Sequence, residues 1–148
     1  MLKNILLIKN LSSRTELILK KNKIIIIDDS KATNSNSVAK ILKKFKHIHW
    51  IIGGKIKERN IKHLKKYLIN VEHCYVMGIM RNKILTFLKK ENKNYTQFFN
   101  FIDILFLVKK QINRGVLLLS PIGSSLNHWL NFKERGNEFK DIIYKLFI

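Results

Sequence analysis

Two kinds of apolar pattern alternate along the chain. The first is the short unbroken run: I-I-I-I at 24–27, W-I-I at 50–52 and V-L-L-L at 116–119. Such runs are too short for a helix, and a strand covered on both faces, as in a parallel sheet, explains why both alternating positions are apolar. They predict strands over 23–28, 47–52 and 115–119, with a further strand over 71–77 and a short edge segment over 95–99. The second pattern has apolar residues every three or four positions. It predicts helices over 38–45, with Val38, Ile41, Leu42 and Phe45 on one face, and over 60–68, 79–90, 101–112 and 129–146. Gly136 predicts a break in the last of these. Residues 14–20 read as a strand that turns at Lys21-Asn22 and returns through 23–28, because Asn accepts positive φ. That hairpin would be the one antiparallel element. Residues 2–11 have roughly helical spacing.

Strands and helices therefore alternate, which predicts an α/β sandwich around a mostly parallel sheet. Right-handed crossovers would bring the strand-to-helix loops 28–34, 53–60, 78 and 120–126 to one edge, the edge where open α/β sheets bind ligands. The loop content fits such a site. The 24–27 run empties into Asp28, Asp29, Ser30, Lys31 and Thr33, ahead of good helix N-caps at Asn34, Ser35 and Asn36. Gly53-Gly54 after the third strand allows positive φ or a close backbone approach.

Composition adds limits. With 148 residues, 46% of them hydrophobic, the chain can bury a core as one domain. No apolar stretch approaches the roughly 20 residues of a membrane span. No signal-cleavage pattern follows the N-terminus and there is a single cysteine, Cys74, so a cytoplasmic location is expected. The formal charge is +19, from 29 Lys+Arg against 10 Asp+Glu. This opens a second functional class, a basic α/β module on RNA or another polyanion. The lysines, however, are spread from Lys3 to Lys145 alongside abundant Asn and Ile, which reads as composition rather than a patch.

Several chemistries lack their motif: there is no G-x-x-x-x-G-K-[ST], no G-x-G-x-x-G and no zinc-type Cys/His spacing. His47 and His49 lie two apart on a strand and have no evident third ligand. Cys74 reads as core filler. Ser120, Ser124 and Ser125 have no base nearby in sequence, which argues against a serine hydrolase.

Three ordered motifs carry a family resemblance: D-D-S-K-A-T-N at 28–34, I-I-G-G-K-I-K at 51–57, and L-L-S-P-I-G-S-S-L-N-H-W-L-N-F-K-E-R-G-N-E-F at 118–139. With the R-T-E at 14–16 they resemble the carboxy-terminal domain of the Mur ligase family, and D-S-K-A-T-N in particular resembles its D-glutamate-adding branch. The resemblance implies a Rossmann-like three-layer sandwich of about six strands, one of them antiparallel. It assigns residues 12–148 to that domain and 1–11 to the end of the preceding central domain. It implies ATP and Mg2+ as cofactors of the complete enzyme, with D-glutamate and UDP-N-acetylmuramoyl-L-alanine as substrates. Thr33 and Lys57 would hold one D-glutamate carboxylate, and Ser125, with Phe132 alongside, the other. Arg14 and Asp29 would meet the nucleotide, Lys31 would lie at its terminal phosphate as the catalytic cation, and no residue is implied as a metal ligand. Where the family has a glycine after the site lysine, this chain has Glu58. Its A-C-A-S loop is I-G-S-S here, the aspartate beyond it is Asn127, and the proline and histidine before the arginine are Ser12 and Ser13. The uridine-nucleotide domain and the P-loop ATPase domain have no counterpart in these 148 residues. The chain is therefore expected to be inactive alone, with a separate chain as a possible partner.

Overall fold

The computed structural model describes residues 14–78, 82–125 and 128–148. The 2–11 segment and part of the 79–90 helix expectation thus lie outside the described residues.

The apolar runs form strands whose alternating side chains feed two cores. Ile25, Ile27, Trp50, Ile52, Val116 and Leu118 face one way; Ile26, Ile51, Leu117 and Leu119 face the other. Both faces are covered, and the polar residues that these strands bury, Asp28, His49 and Ser120, make side-chain hydrogen bonds. Among the described residues the strands are β1 (Glu16–Lys21), β2 (Ile24–Asp28), β3 (Ile48–Gly53), β4 (Val71–Met77), β5 (Tyr95–Phe98) and β6 (Gly115–Ile122). Their order is β1-β2-β6-β3-β4-β5. Only β1–β2 is antiparallel; the other pairings are parallel. The hairpin turns at Asn22, with φ 55°, as its sequence predicts.

Helices α1 (Ser35–Leu42) and α2 (Asn82–Lys90) cover the first face, together with a 3₁₀ helix over Lys62–Asn70. Helices α3 (Phe101–Gln111) and α4 (Phe132–Phe147) cover the second. The layers and strand count agree with the Rossmann-like sandwich expected from the sequence.

Three local expectations need correction. The 60–68 segment is a 3₁₀ helix rather than an α-helix. Leu64 and Leu68 are its buried apolar residues, with Ile61 buried just before it and Tyr67 partly buried beside them. Strand β6 does not stop at Ser120-Pro121 but runs to Ile122. Ile51 pairs with Leu119 and Gly53 with Ile122, so β6 carries one extra residue there, and a bulge tolerates the missing proline N–H. Helix α4 passes through Gly136 without a break, because Arg135, Phe139 and Ile143 anchor its buried face on either side.

Crossover direction sets the location of the site. The loops after β2 and β3 lead to helices on one face, and the segment after β6, which lies between those strands, leads to α4 on the other. Neighbouring loops that diverge to opposite faces open a crevice at the carboxyl ends of the strands.

Candidate functional site

That crevice is built from buried polar groups. Asp29, at the end of β2, is only 7% exposed. Its carboxylate accepts hydrogen bonds from the Thr15 N–H at 3.0 Å and hydroxyl at 3.3 Å, and from the Ser120 hydroxyl at 3.0 Å. Burial still dominates and pushes its pKa up to about 6, against the lowering effect of these donors. Thr15 holds φ 51° to make its contacts, a strained conformation for a β-branched residue. The Ser120 carbonyl also accepts the Trp50 indole N–H at 2.7 Å, so a fully buried tryptophan of β3 fixes the residue that braces Asp29.

Asp28 does a different job. It is fully buried, and its Oδ1 accepts from the Ser30 N–H at 2.9 Å and from the Ser30 hydroxyl. This closes a tight polar turn at the start of the loop. Desolvation raises its pKa as well.

The two walls of the crevice are clamped by Arg135 from α4, which is 1% exposed. One terminal nitrogen donates to the Gly123 carbonyl at 2.9 Å and the other to the Ser30 carbonyl at 2.7 Å. A single guanidinium fork thus ties the loop after β2 to the loop after β6. Burial pulls its pKa down to about 10, while the nearby Asp28 opposes that shift.

Gly53 and Gly54 satisfy both possibilities read from their sequence. A Cβ on Gly53 would lie 2.0 Å from the Met77 carbonyl oxygen, and Gly54 has φ +91° with the Ser124 carbonyl 2.4 Å from its Cβ position. Beyond them, Lys55 and Ser124 exchange backbone hydrogen bonds of 3.2 and 3.1 Å. The Gly53→Ala variant is expected to lose on the order of 1–3 kcal/mol through overpacking against backbone. A denaturant midpoint equal to that of the wild type would refute the close approach.

The structure brings Arg14, Asp29, Lys31, Thr33 and Phe132 together around one polar cavity of about 500 Å³, with Thr15, Lys40 and Lys44 also in its lining. The Lys31 ammonium lies 5.1 Å from the centre of the Phe132 ring, within cation–π range. Ser125 is not part of this cavity. It lines a separate, mainly apolar one of about 210 Å³, with Met77, Phe99 and Trp129. Lys57 is exposed and lines neither. Sequence reasoning did not identify Thr15, Ser120 or Arg135 as site residues. Of these, Arg135 left a usable signal, since it shares helical spacing with Phe139 and Ile143 and so falls on an apolar face.

Elsewhere, His47 and His49 both meet the Glu72 carboxylate, the latter at 3.6 Å, and among the described residues no group of three or more ligand-type side chains could hold a metal ion. Cys74 is buried and its thiol pKa is pushed up to about 12 by desolvation, as suits core filler. No helix among the described residues is long and apolar enough to cross a membrane.

No family model matches the chain. Among curated proteins, it is similar to the UDP-N-acetylmuramoylalanine–D-glutamate ligase of Wolbachia sp. subsp. Brugia malayi, with 33% identity over 141 residues, covering 92% of this chain and 28% of the relative. The ligase of the same name from Fervidobacterium nodosum is 35% identical over 122 residues, covering 80% of this chain and 29% of the relative. The chain therefore spans less than a third of the length of these relatives. Among solved structures, it resembles MurF from Acinetobacter baumannii, with a TM-score of 0.59 and 16% identity over 88% of this chain and 31% of that one. A domain from a UDP-N-acetylmuramate:L-alanyl-gamma-D-glutamyl-medo-diaminopimelate ligase of Haemophilus ducreyi gives a TM-score of 0.52 at 16% identity, covering 90% of this chain and 96% of that domain. These structural likenesses speak to fold alone. Nothing in the comparisons supports a nucleic-acid role for the positive charge.

Proposed function

We propose, from its membership of the Mur ligase family as a carboxy-terminal domain, that this chain supplies the D-glutamate-holding and nucleotide-closing part of a UDP-N-acetylmuramoyl-L-alanine:D-glutamate ligase. In that reaction ATP activates the carboxylate of UDP-N-acetylmuramoyl-L-alanine, and the D-glutamate amine attacks the acyl phosphate to form an amide, a step in peptidoglycan precursor synthesis. The observation that carries the reading is the polar cavity where Arg14, Asp29, Lys31 and Thr33 meet, at the carboxyl ends of the strands.

The roles are those that the family resemblance implies, and the chemistry of the side chains suits them. Arg14 and Lys31 offer permanent positive charge to phosphate oxygens, Arg14 through a planar fork and Lys31 as a point charge. Lys31, steadied over Phe132, is the group that supports the terminal phosphate as charge develops. Asp29 accepts a hydrogen bond from the nucleotide. Thr33 and Lys57 would take one carboxylate of D-glutamate and Ser125, with Phe132, the other, a pairing that spans the polar cavity of Thr33 and Phe132 and the separate cavity of Ser125. The Lys55–Ser124 bridge keeps the loops that bear Lys57 and Ser125 side by side. The cationic lining fits a triphosphate. The only carboxylate in the described lining, Asp29, already accepts from Thr15 and Ser120, so these side chains by themselves do not fit a magnesium ion. Residues 12–148 form the domain, and residues 1–11 connect to the rest of the ligase, which a separate cytoplasmic chain would supply.

Two measurements test this. The isolated chain, given ATP, UDP-N-acetylmuramoyl-L-alanine and D-glutamate, is expected to release no ADP above background, and turnover by the chain alone would overturn its reading as a part. In the assembled ligase, Thr33→Val is expected to raise the KM for D-glutamate on the order of tenfold, the size of one lost hydrogen bond to a charged group, with little change for ATP. An equal effect on both substrates would contradict the assignment.

A further inference from the structure

Helix α1 begins at Ser35 with no acidic residue in its first turn. Its cap Asn34 accepts the Ser37 N–H at 2.9 Å. The positive end of the helix still draws an anion, and a distant residue supplies it. Glu58, on the loop after β3, accepts the Ser35 N–H at 2.8 Å through one carboxylate oxygen and the Ser35 hydroxyl at 2.5 Å through the other. These are charge-assisted bonds on a fully buried partner. The Lys83 ammonium of α2 donates to the Glu58 carbonyl, so the same residue is held from a second helix. Two residues before Glu58's neighbour Lys57, Lys55 is joined to Ser124. The backbone that carries Lys57 is thus pinned on both sides, by Lys55 to the residue before Ser125 and by Glu58 to the residue two after Thr33. Without the Glu58 carboxylate, that side of Lys57 would be held, among the described residues, only by the exposed Lys83 ammonium on the Glu58 carbonyl.

We propose that Glu58 is a positioning residue: its carboxylate, fastened across Ser35, holds Lys57 where it can meet a ligand carboxylate that Thr33 also contacts. The inference rests on the D-glutamate reading of the site and goes beyond it, since Glu58 itself touches no ligand. It predicts that Glu58 acts only through Lys57. A residue that merely stabilised the fold would alter melting without altering affinity in the folded protein.

The test is titration of the chain with D-glutamate, followed by amide NMR well below the melting temperature, for wild type, Glu58→Ala, Lys57→Met and the double variant. Ser35→Ala removes the hydroxyl half of the latch and keeps the N–H half, which guards against an effect peculiar to one substitution. Glu58→Ala is expected to weaken D-glutamate about tenfold and Ser35→Ala by a smaller factor, since its backbone N–H still holds Glu58, while both spectra stay folded. Glu58→Ala is expected to add nothing once Lys57 is methionine, since a shared mechanism makes the losses non-additive. Additive losses, or unchanged affinity in Glu58→Ala and Ser35→Ala against a wild type that binds, would overturn the positioning role and leave the site reading standing. A wild-type chain that shows no D-glutamate shifts would overturn both.

Discussion

The Arg135→Met chain is expected to be about 3–5 kcal/mol less stable than the wild type, the scale of a broken buried charge network. Methionine restores much of the volume but none of the donors. The carbonyls of Gly123 and Ser30 lose partners at 2.9 and 2.7 Å in a place shielded from water, and a cation near buried Asp28 is removed. Such a loss is a large part of a typical domain's total stability of about 5–15 kcal/mol. For a chain of this size it corresponds to a fall of roughly 10 °C in Tm. Arg135→Lys keeps the charge without the fork and should fall between the two. Urea denaturation at neutral pH measures all three. A methionine variant within about 1 kcal/mol of the wild type would refute the clamp.

Asp29→Asn is expected to gain stability relative to the wild type as pH rises. In the wild type, burial lifts the Asp29 pKa from an ordinary 3.8 to about 6. Between those values the unfolded chain has released its proton and the folded chain has kept it. The folded state then binds more protons, so its stability falls as pH rises through this window. The accumulated cost above pH 6 is about 3 kcal/mol. Asparagine carries no charge to bury, and its amide oxygen can still accept from Thr15. Other groups titrate nearby, with Asp28 raised and His49 and His73 lowered by desolvation. The informative quantity is therefore the difference between the two proteins from pH 4 to 7, read by chemical denaturation. A flat difference would contradict the buried, charged state of Asp29. The variant is also expected to bind nucleotide more weakly in the assembled ligase, a trade of function for stability common at buried polar sites.

A strained Thr15 and a carboxylate kept in a dry place are features that a fold retains at a working site rather than in plain structure. Ile122, with φ 66°, adds a second β-branched residue in that conformation. Its N–H donates to the Ala32 carbonyl at 3.0 Å, which joins the end of β6 to the loop that bears Lys31 and Thr33.

The strand runs were legible in the sequence because unbroken Ile, Val and Leu leave no polar position for solvent, and such a run has one stable home, a sheet covered on both faces. The tight turn at Asn22 and the crowding at Gly53-Gly54 were legible for the same kind of reason: few residue types tolerate those backbones. The order of the strands was not. No local pattern says that β6, the last strand in the chain, inserts between β2 and β3. That insertion places Ser120 against Asp29 and Gly123 within reach of Arg135, across 91 and 12 residues of chain respectively. Nor could spacing alone show that Glu58 meets Ser35, since the contact depends on where two loops from different strands come to lie. The sequence by itself determined which residues could be inside and which loops would carry chemistry, because burial and backbone freedom are properties of single positions. Only the tertiary structure decided which of those loops touch, because a hydrogen bond depends on the distance between two groups, and the path of the chain through the sheet sets that distance.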